Sequence, residues 1–284
     1  MRLRGIRRSK NVEVRGSGGG RRRASGGRAG GMGVVGLLIV LAIGYFTGID
    51  VSSLLQGGNA PLTQQSQQSS AADDKATQFS AQVLSTTEDV WAKIFAEQLG
   101  REYVPPKLVV FKGVTQSPCG GASGATGPFY CPADSKAYLD TSFFVMLDQR
   151  MGAGGDFAAA YVIAHEVAHH VQNQLGILPK VNAARQQASQ TEANALTVRL
   201  ELMADCLSGI WAANVQSLME RGDLQEALNA ARKIGDDHLQ RQAGRVPQPH
   251  TFTHGTSEQR ARWFARGWET GQVGQCDTFA AARL

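Results

Sequence analysis

Between Lys75 and Leu99, the residues Phe79, Val83, Val90, Ile94 and Leu99 recur at near-helical intervals, with Trp91 and Phe95 beside them. Gly100 stands where that helix should stop. The pattern changes at Lys107–Lys112, a β-branched run behind Pro105 and Pro106 that reads as a strand. Gln116–Asp140 is glycine-rich and reads as loop, apart from short strands at Phe129–Pro132 and Lys136–Asp140. Helical periodicity returns in Thr141–Met151 and then in longer stretches. Asp156–Gly176 carries Tyr161, Ala164, Ala168, Val171 and Leu175 as an apolar stripe, with Asp156 at its cap. Thr191–Arg221 carries Leu196, Leu200, Met203, Leu207 and Ile210, and Leu224–Ala243 forms another helical stretch. A last helix, Ser257–Thr270, opens with the capping-box sequence Thr256–Gln259 and is weighted by Trp263, Phe264 and Trp268.

One run is apolar without periodicity. Ala29–Ile49 contains 21 residues and no charge; as a helix rising about 1.5 Å per residue it would span roughly 30 Å of hydrocarbon. The expected organisation is therefore a disordered tail over 1–31, a transmembrane helix over 32–49, a linker over 50–74 and one folded domain over 75–284. That domain is expected to be α+β, mostly helical, with a small sheet.

Charge changes this picture little but orients it. Residues 1–31 hold ten of the 29 Lys and Arg and one of the 24 Asp and Glu, so this tail is net +9 and the remainder net −4. The basic excess belongs to the flank of the apolar run, and no nucleic-acid partner is expected. A positive flank before the run and Asp50 after it predict a single-pass protein of the bacterial cell membrane, N-terminus cytoplasmic and domain extracytoplasmic. The four cysteines, Cys119, Cys131, Cys206 and Cys276, permit three pairings, and their spacing selects none. A Cys119–Cys131 bridge would staple the glycine-rich loop, and disulfides would suit an oxidising compartment.

The chemistry concentrates in Asp156–Gly176. His165 and His169, four apart on a helix, present their imidazoles on one face and can grip one metal ion. Glu166 is rotated by roughly 100° and stands beside that position, where a general base for an attacking water belongs. Glu201 and Asp205 stand in the apolar setting of Thr191–Arg221, where two unpaired carboxylates would be costly. Both are compensated if Glu201 binds zinc and Asp205 accepts the free N–H of a ligand histidine. Two His and one Glu form a known catalytic zinc set with a position left for water.

H-E-x-x-H followed by E-x-x-A-D is the pattern of the gluzincin metallopeptidases. More narrowly, the chain resembles the bacterial family described as putative neutral zinc metallopeptidases. The resemblance lies in CGGASGATGPFYCPADSKAYLD, IAHEVAHHVQNQLGI, NALTVRLELMADCLSGIW and THGTSEQRARWFARGW, spread from about Val104 to Cys276. It implies a zincin-like domain with one Zn²⁺ per chain held by His165, His169 and Glu201. It also implies Glu166 as general base and then acid, with Asp205 orienting His165. Related gluzincin branches place a downstream histidine against the developing oxyanion, which makes His254 a candidate, with Arg260 near it as a charge partner. The substrate would be a peptide or protein, added as a strand along a sheet edge at Lys136–Asp140 or Lys107–Lys112. The expected function is a membrane-anchored zinc metalloendopeptidase. The alternative is a membrane-tethered, non-catalytic zinc-binding protein, but structural zinc sites usually close with four protein ligands.

Overall fold

The computed structural model describes residues 1–15, 71–123 and 127–284. Helices dominate them. In chain order they form β1 (Val12–Arg15), α1 (Ala71–Ile94, continued by a π-turn over Phe95–Leu99), β2 (Lys107–Phe111), β3 (Val114–Ser117), β4 (Gly120–Ser123), β5 (Phe129–Cys131) and β6 (Lys136–Asp140). There follow α2 (Ser142–Gln149), α3 (Asp156–Gln174), α4 (Ile177–Gln187), α5 (Gln190–Asn214), α6 (Asp223–Lys233), α7 (Asp236–Gln242) and α8 (Ser257–Thr270). The mostly helical α+β expectation with a small sheet holds for this part of the chain.

The main sheet has the order β1-β2-β6-β5, with β1, β2 and β6 parallel and β5 antiparallel to β6; β3 and β4 make a separate hairpin in the glycine-rich loop. Both strands expected to offer a free edge are therefore interior. The edges are β1 and β5.

Residues 1–15 fall within the stretch read as a disordered tail, yet they pack into the domain. Leu3 and Ile6 carbonyls accept from Gln82 Nε2, the Ser9 amide donates to Ala81 O, and Arg7 pairs with Glu88 and Asp89, so the segment runs along α1. β1 then aligns with β2, Val12 beside Leu108. The amino group of Met1 lies 2.6 Å from Asp156 and about as close to Glu220 and Asp223 (3.1 and 3.2 Å).

This pairing corrects the expected membrane topology. β1 and β2 share one sheet, so residues 1–15 and 71–284 lie on one side of any membrane, and one crossing between them cannot put the N-terminus inside and the domain outside. Nor is any helix among the described residues long and apolar enough to cross a membrane. The run over 32–49 itself lies outside the described residues.

The core is built between helices. α3 is buried along nearly its whole length, from Phe157 to Gln172. Its first turn is held by Glu226 of α6, whose carboxylate accepts from the Phe157 amide, and negative charge there also complements the helix dipole. Gly155, not Asp156, takes the N-cap position, at φ 122°. α5 and α8 approach unusually closely. A Cβ on Gly209 would lie 2.1 Å from Phe264 O, and one on Gly267 would lie 1.8 Å from Cys206 O, so only glycine fits at either contact. The third predicted helical stretch is broken at Gly235, whose extended backbone packs against Ser257 and turns the chain into α7.

Two disulfides secure this frame, Cys119–Cys131 from the β3–β4 turn to β5 and Cys206–Cys276 from α5 to the C-terminal segment. The second spans a sequence separation of 70 residues. Loop-closure entropy for such a span is worth about 4 kcal/mol. Replacing Cys206 and Cys276 by alanine and serine is therefore expected to lower the urea midpoint well beyond the loss from the shorter Cys119–Cys131 bridge. Equal midpoints for the two bridge deletions would refute that ranking.

Candidate zinc centre

The buried faces of α3 and α5 meet where both helices carry polar residues. His165 and His169 leave α3 one turn apart, and Glu201 comes from α5. His165 Nε2 lies 3.1 Å from one oxygen of Glu201 and His169 Nε2 lies 3.5 Å from the other. Nitrogen or oxygen atoms from all three side chains fall within 4.8 Å of one another.

On the far sides of the rings, Asp205 approaches His165 as a close charge contact without hydrogen-bond geometry, whereas Gln172 accepts a hydrogen bond from His169. His165 Nδ1 lies 3.0 Å from Asp205 Oδ1, and the His169 Nδ1–H donates to Gln172 Oε1 at 2.9 Å. Gln172 is fully buried and donates in turn to the Leu200 carbonyl. Both imidazoles thus turn Nε2 toward the shared centre, and the Gln172 contact gives His169 the tautomer a metal ligand needs. This donor set, two imidazole nitrogens and one carboxylate, fits zinc.

Asp205 is wholly buried yet paired. Arg260 of α8 donates to both of its oxygens, Nε at 2.9 Å and Nη2 at 3.0 Å, and Tyr161 adds its hydroxyl at 2.5 Å. The glycine contacts between α5 and α8 let Arg260 come this close. Burial pushes the Asp205 carboxyl up, but Arg260 and His165 outweigh it and hold it below its ordinary value. Sequence reasoning placed Arg260 beside His254; its hydrogen bonds go to Asp205, Tyr161 and the Ile234 carbonyl.

Glu166 is buried, and its Oε2 has no hydrogen-bond partner among the described residues. Burial raises its pKa against the pull of His169, His165 and His254. Burial acts against the charged form of His165 as well, yet Asp205 and Glu201 hold its pKa up at about 9. Glu201 is the reverse case: burial raises its pKa, and the neighbouring histidines pull it well below the carboxylate range. His254 is near enough to both glutamates for its charge to pull their pKa values down.

His254 is fixed by a residue that sequence reasoning missed. Asp236 opens α7 and accepts from the Thr253, His254 and Gly255 amides at 2.8, 2.6 and 3.0 Å, and its other oxygen lies 3.3 Å from His254 Nδ1. His170, next to the metal helix row, is buried between Tyr130 Oη and the Val104 carbonyl, away from Glu201.

A family model described as "Putative neutral zinc metallopeptidase" matches residues 1–279. The chain belongs to this family. The match takes in residues 1–103, which the resemblance read from the sequence had left outside. The uncharacterized protein YpfJ of Escherichia coli is 48% identical over 286 residues, covering 98% of this chain and 99% of that protein. The uncharacterized protein Rv2575 of Mycobacterium tuberculosis is 42% identical over 195 residues, covering 64% of this chain and 65% of its own. No solved structure matches the chain. At the level of the metallopeptidase family, then, zinc and peptide substrates are implied, and the centre between α3 and α5 offers a donor set for that metal.

Proposed function

We propose that the chain is a zinc-dependent endopeptidase working at the centre between α3 and α5. The observation that carries this reading is the convergence of His165 Nε2 and His169 Nε2 on the Glu201 carboxylate, beside a buried Glu166 oxygen without a partner. In this reading His165, His169 and Glu201 hold one zinc ion. Bound there, zinc would polarise the scissile carbonyl and lower the pKa of water to about 7.

The protein's own groups do the rest. Glu166, its pKa raised by burial, takes the proton of the attacking water and delivers it to the leaving amine nitrogen. Asp205, kept ionised by Arg260, holds His165 with its Nε2 toward the metal position, and Gln172 does the same for His169. Asp236 holds the Nδ1 side of His254, leaving Nε2 to donate to the oxygen that becomes negative as the carbonyl is attacked. The substrate adds as a strand to β5, the sheet edge tied to α3 through Tyr130 Oη, which meets His170 and Asn173.

Incubating the purified protein with casein and with unstructured peptides, then mapping new termini by mass spectrometry, tests this reading. Internal cuts that stop on chelation and return with zinc are expected. Cleavage that survives thorough chelation, or none with zinc bound, would sink it.

A further inference from the structure

One arginine on α4 has a buried donor that no described residue engages. Arg185 lies near the end of α4, seven residues beyond Leu178 and four beyond Val181, and so on the same helix face. Leu178 and Val181 pack against Tyr130 of β5 and Leu200 of α5, the residue before Glu201. Arg185 extends that face past the same turn of α5. Its Nη1 donates to Asn182 one turn back, at a long 3.2 Å, while its Nε is buried with no hydrogen-bond partner among the described residues.

Several other arginines are used differently. Arg7, Arg15, Arg241 and Arg260 each pair with a carboxylate, and Arg199 and Arg266 bind backbone carbonyls. Arg185 has no carboxylate partner among the described residues. Burial lowers its pKa, and the opposing charge that acts on it is Glu201, a residue of the zinc centre. A guanidinium with a buried idle donor is costly unless a ligand completes it, and its planar fork matches a carboxylate.

We propose that Arg185 is a carboxylate receptor in the substrate cleft, selecting peptides that carry either an acidic side chain near the scissile bond or a free C-terminal carboxylate. The proposal rests on the endopeptidase reading for its substrate. A partly buried guanidinium on the α4 face that packs against Tyr130 of β5 and Leu200 of α5 can reach a peptide laid along that edge, whereas Glu166 and Glu201 would repel an acidic substrate that lacked such a counter-charge.

Two peptide series separate the two sources. In one, with both ends blocked, Glu replaces Gln at each position in turn; in the other, a neutral peptide is offered with a free or an amidated C-terminus. The zinc-loaded wild type is expected to favour one carboxylate-bearing member by about 10- to 100-fold in kcat/KM, the range of a charge-assisted contact. Arg185→Met should erase that preference, mainly through KM, and Arg185→Lys should restore part of it. The same peptides titrated calorimetrically into zinc-loaded Glu166→Gln protein, with and without Arg185→Met, read the preference without turnover. Preference retained in Arg185→Met, or absent from both cleavage and binding in the parent, overturns the proposal. If the wild type cleaves none of the peptides but the binding preference depends on Arg185, the endopeptidase reading fails and the receptor stands.

Discussion

Glu166→Gln is expected to lose about 100- to 10,000-fold in peptide cleavage while keeping its zinc, the span that a positioned general base contributes. The substitution preserves shape and removes the one group placed to accept the proton. Glu166 is buried, its Oε2 has no partner among the described residues, and burial raises its pKa, which makes it a stronger base than an exposed carboxylate. It is not among the three side chains that converge as metal donors, so zinc content should not change. Cleavage rate and metal content measured on the same preparations check this. Equal rates in the two proteins would remove Glu166 from its role, and loss of zinc from the variant would make it a ligand instead.

The second large effect is at Glu201. Glu201→Gln is expected to weaken zinc binding by more than the roughly 10- to 100-fold typical of losing an outer hydrogen-bond partner of a metal ligand. Its carboxylate is the negative member of the donor set and lies within 3.1 Å and 3.5 Å of the two imidazoles. Those histidines hold it ionised against burial, and it helps hold the His165 pKa near 9. Asp205→Asn supplies the comparison, since it alters the contacts with His165, Arg260 and Tyr161 but none of the converging donor atoms. Competition titration against a chelator of known affinity ranks the two. A smaller loss for Glu201→Gln than for Asp205→Asn would reverse the assignment of ligand and supporting residue.

The sequence disclosed the chemistry better than the chain path. His165, Glu166 and His169 are legible because a four-residue spacing on a helix fixes which side chains share a face. Glu201 and Asp205 stood out as carboxylates in an apolar stripe. Gln172 and Asp236 did not, because a lone polar residue reveals its partner only when distant segments meet. The long helices followed from periodicity, whereas α4 lay hidden in a polar segment and the break before α7 depends on Gly235 meeting Ser257.

The N-terminal segment shows the same limit more sharply. Val12–Arg15 is four residues long and sits among basic residues, so nothing local marks it as a strand; its pairing with Lys107–Phe111 is entirely non-local. An uncharged stretch such as Ala29–Ile49 suggests a span by length alone, but length says nothing of whether its two flanks rejoin. Here they do, in one sheet, and the predicted sidedness falls with that pairing. The basic residues near the N-terminus are likewise partly spent inside the fold, Arg7 on Glu88 and Asp89, and Arg15 on Glu13.

Anomalous X-ray scattering at the zinc edge, from crystals of the zinc-loaded protein, reads the metal position directly. One peak per chain is expected, about 2.0–2.2 Å from His165 Nε2, His169 Nε2 and a Glu201 oxygen, with no fourth protein side chain closing the site. A peak at the Asp156, Asp223 and Glu226 carboxylates instead, or a fourth protein ligand completing the shell between α3 and α5, would contradict it.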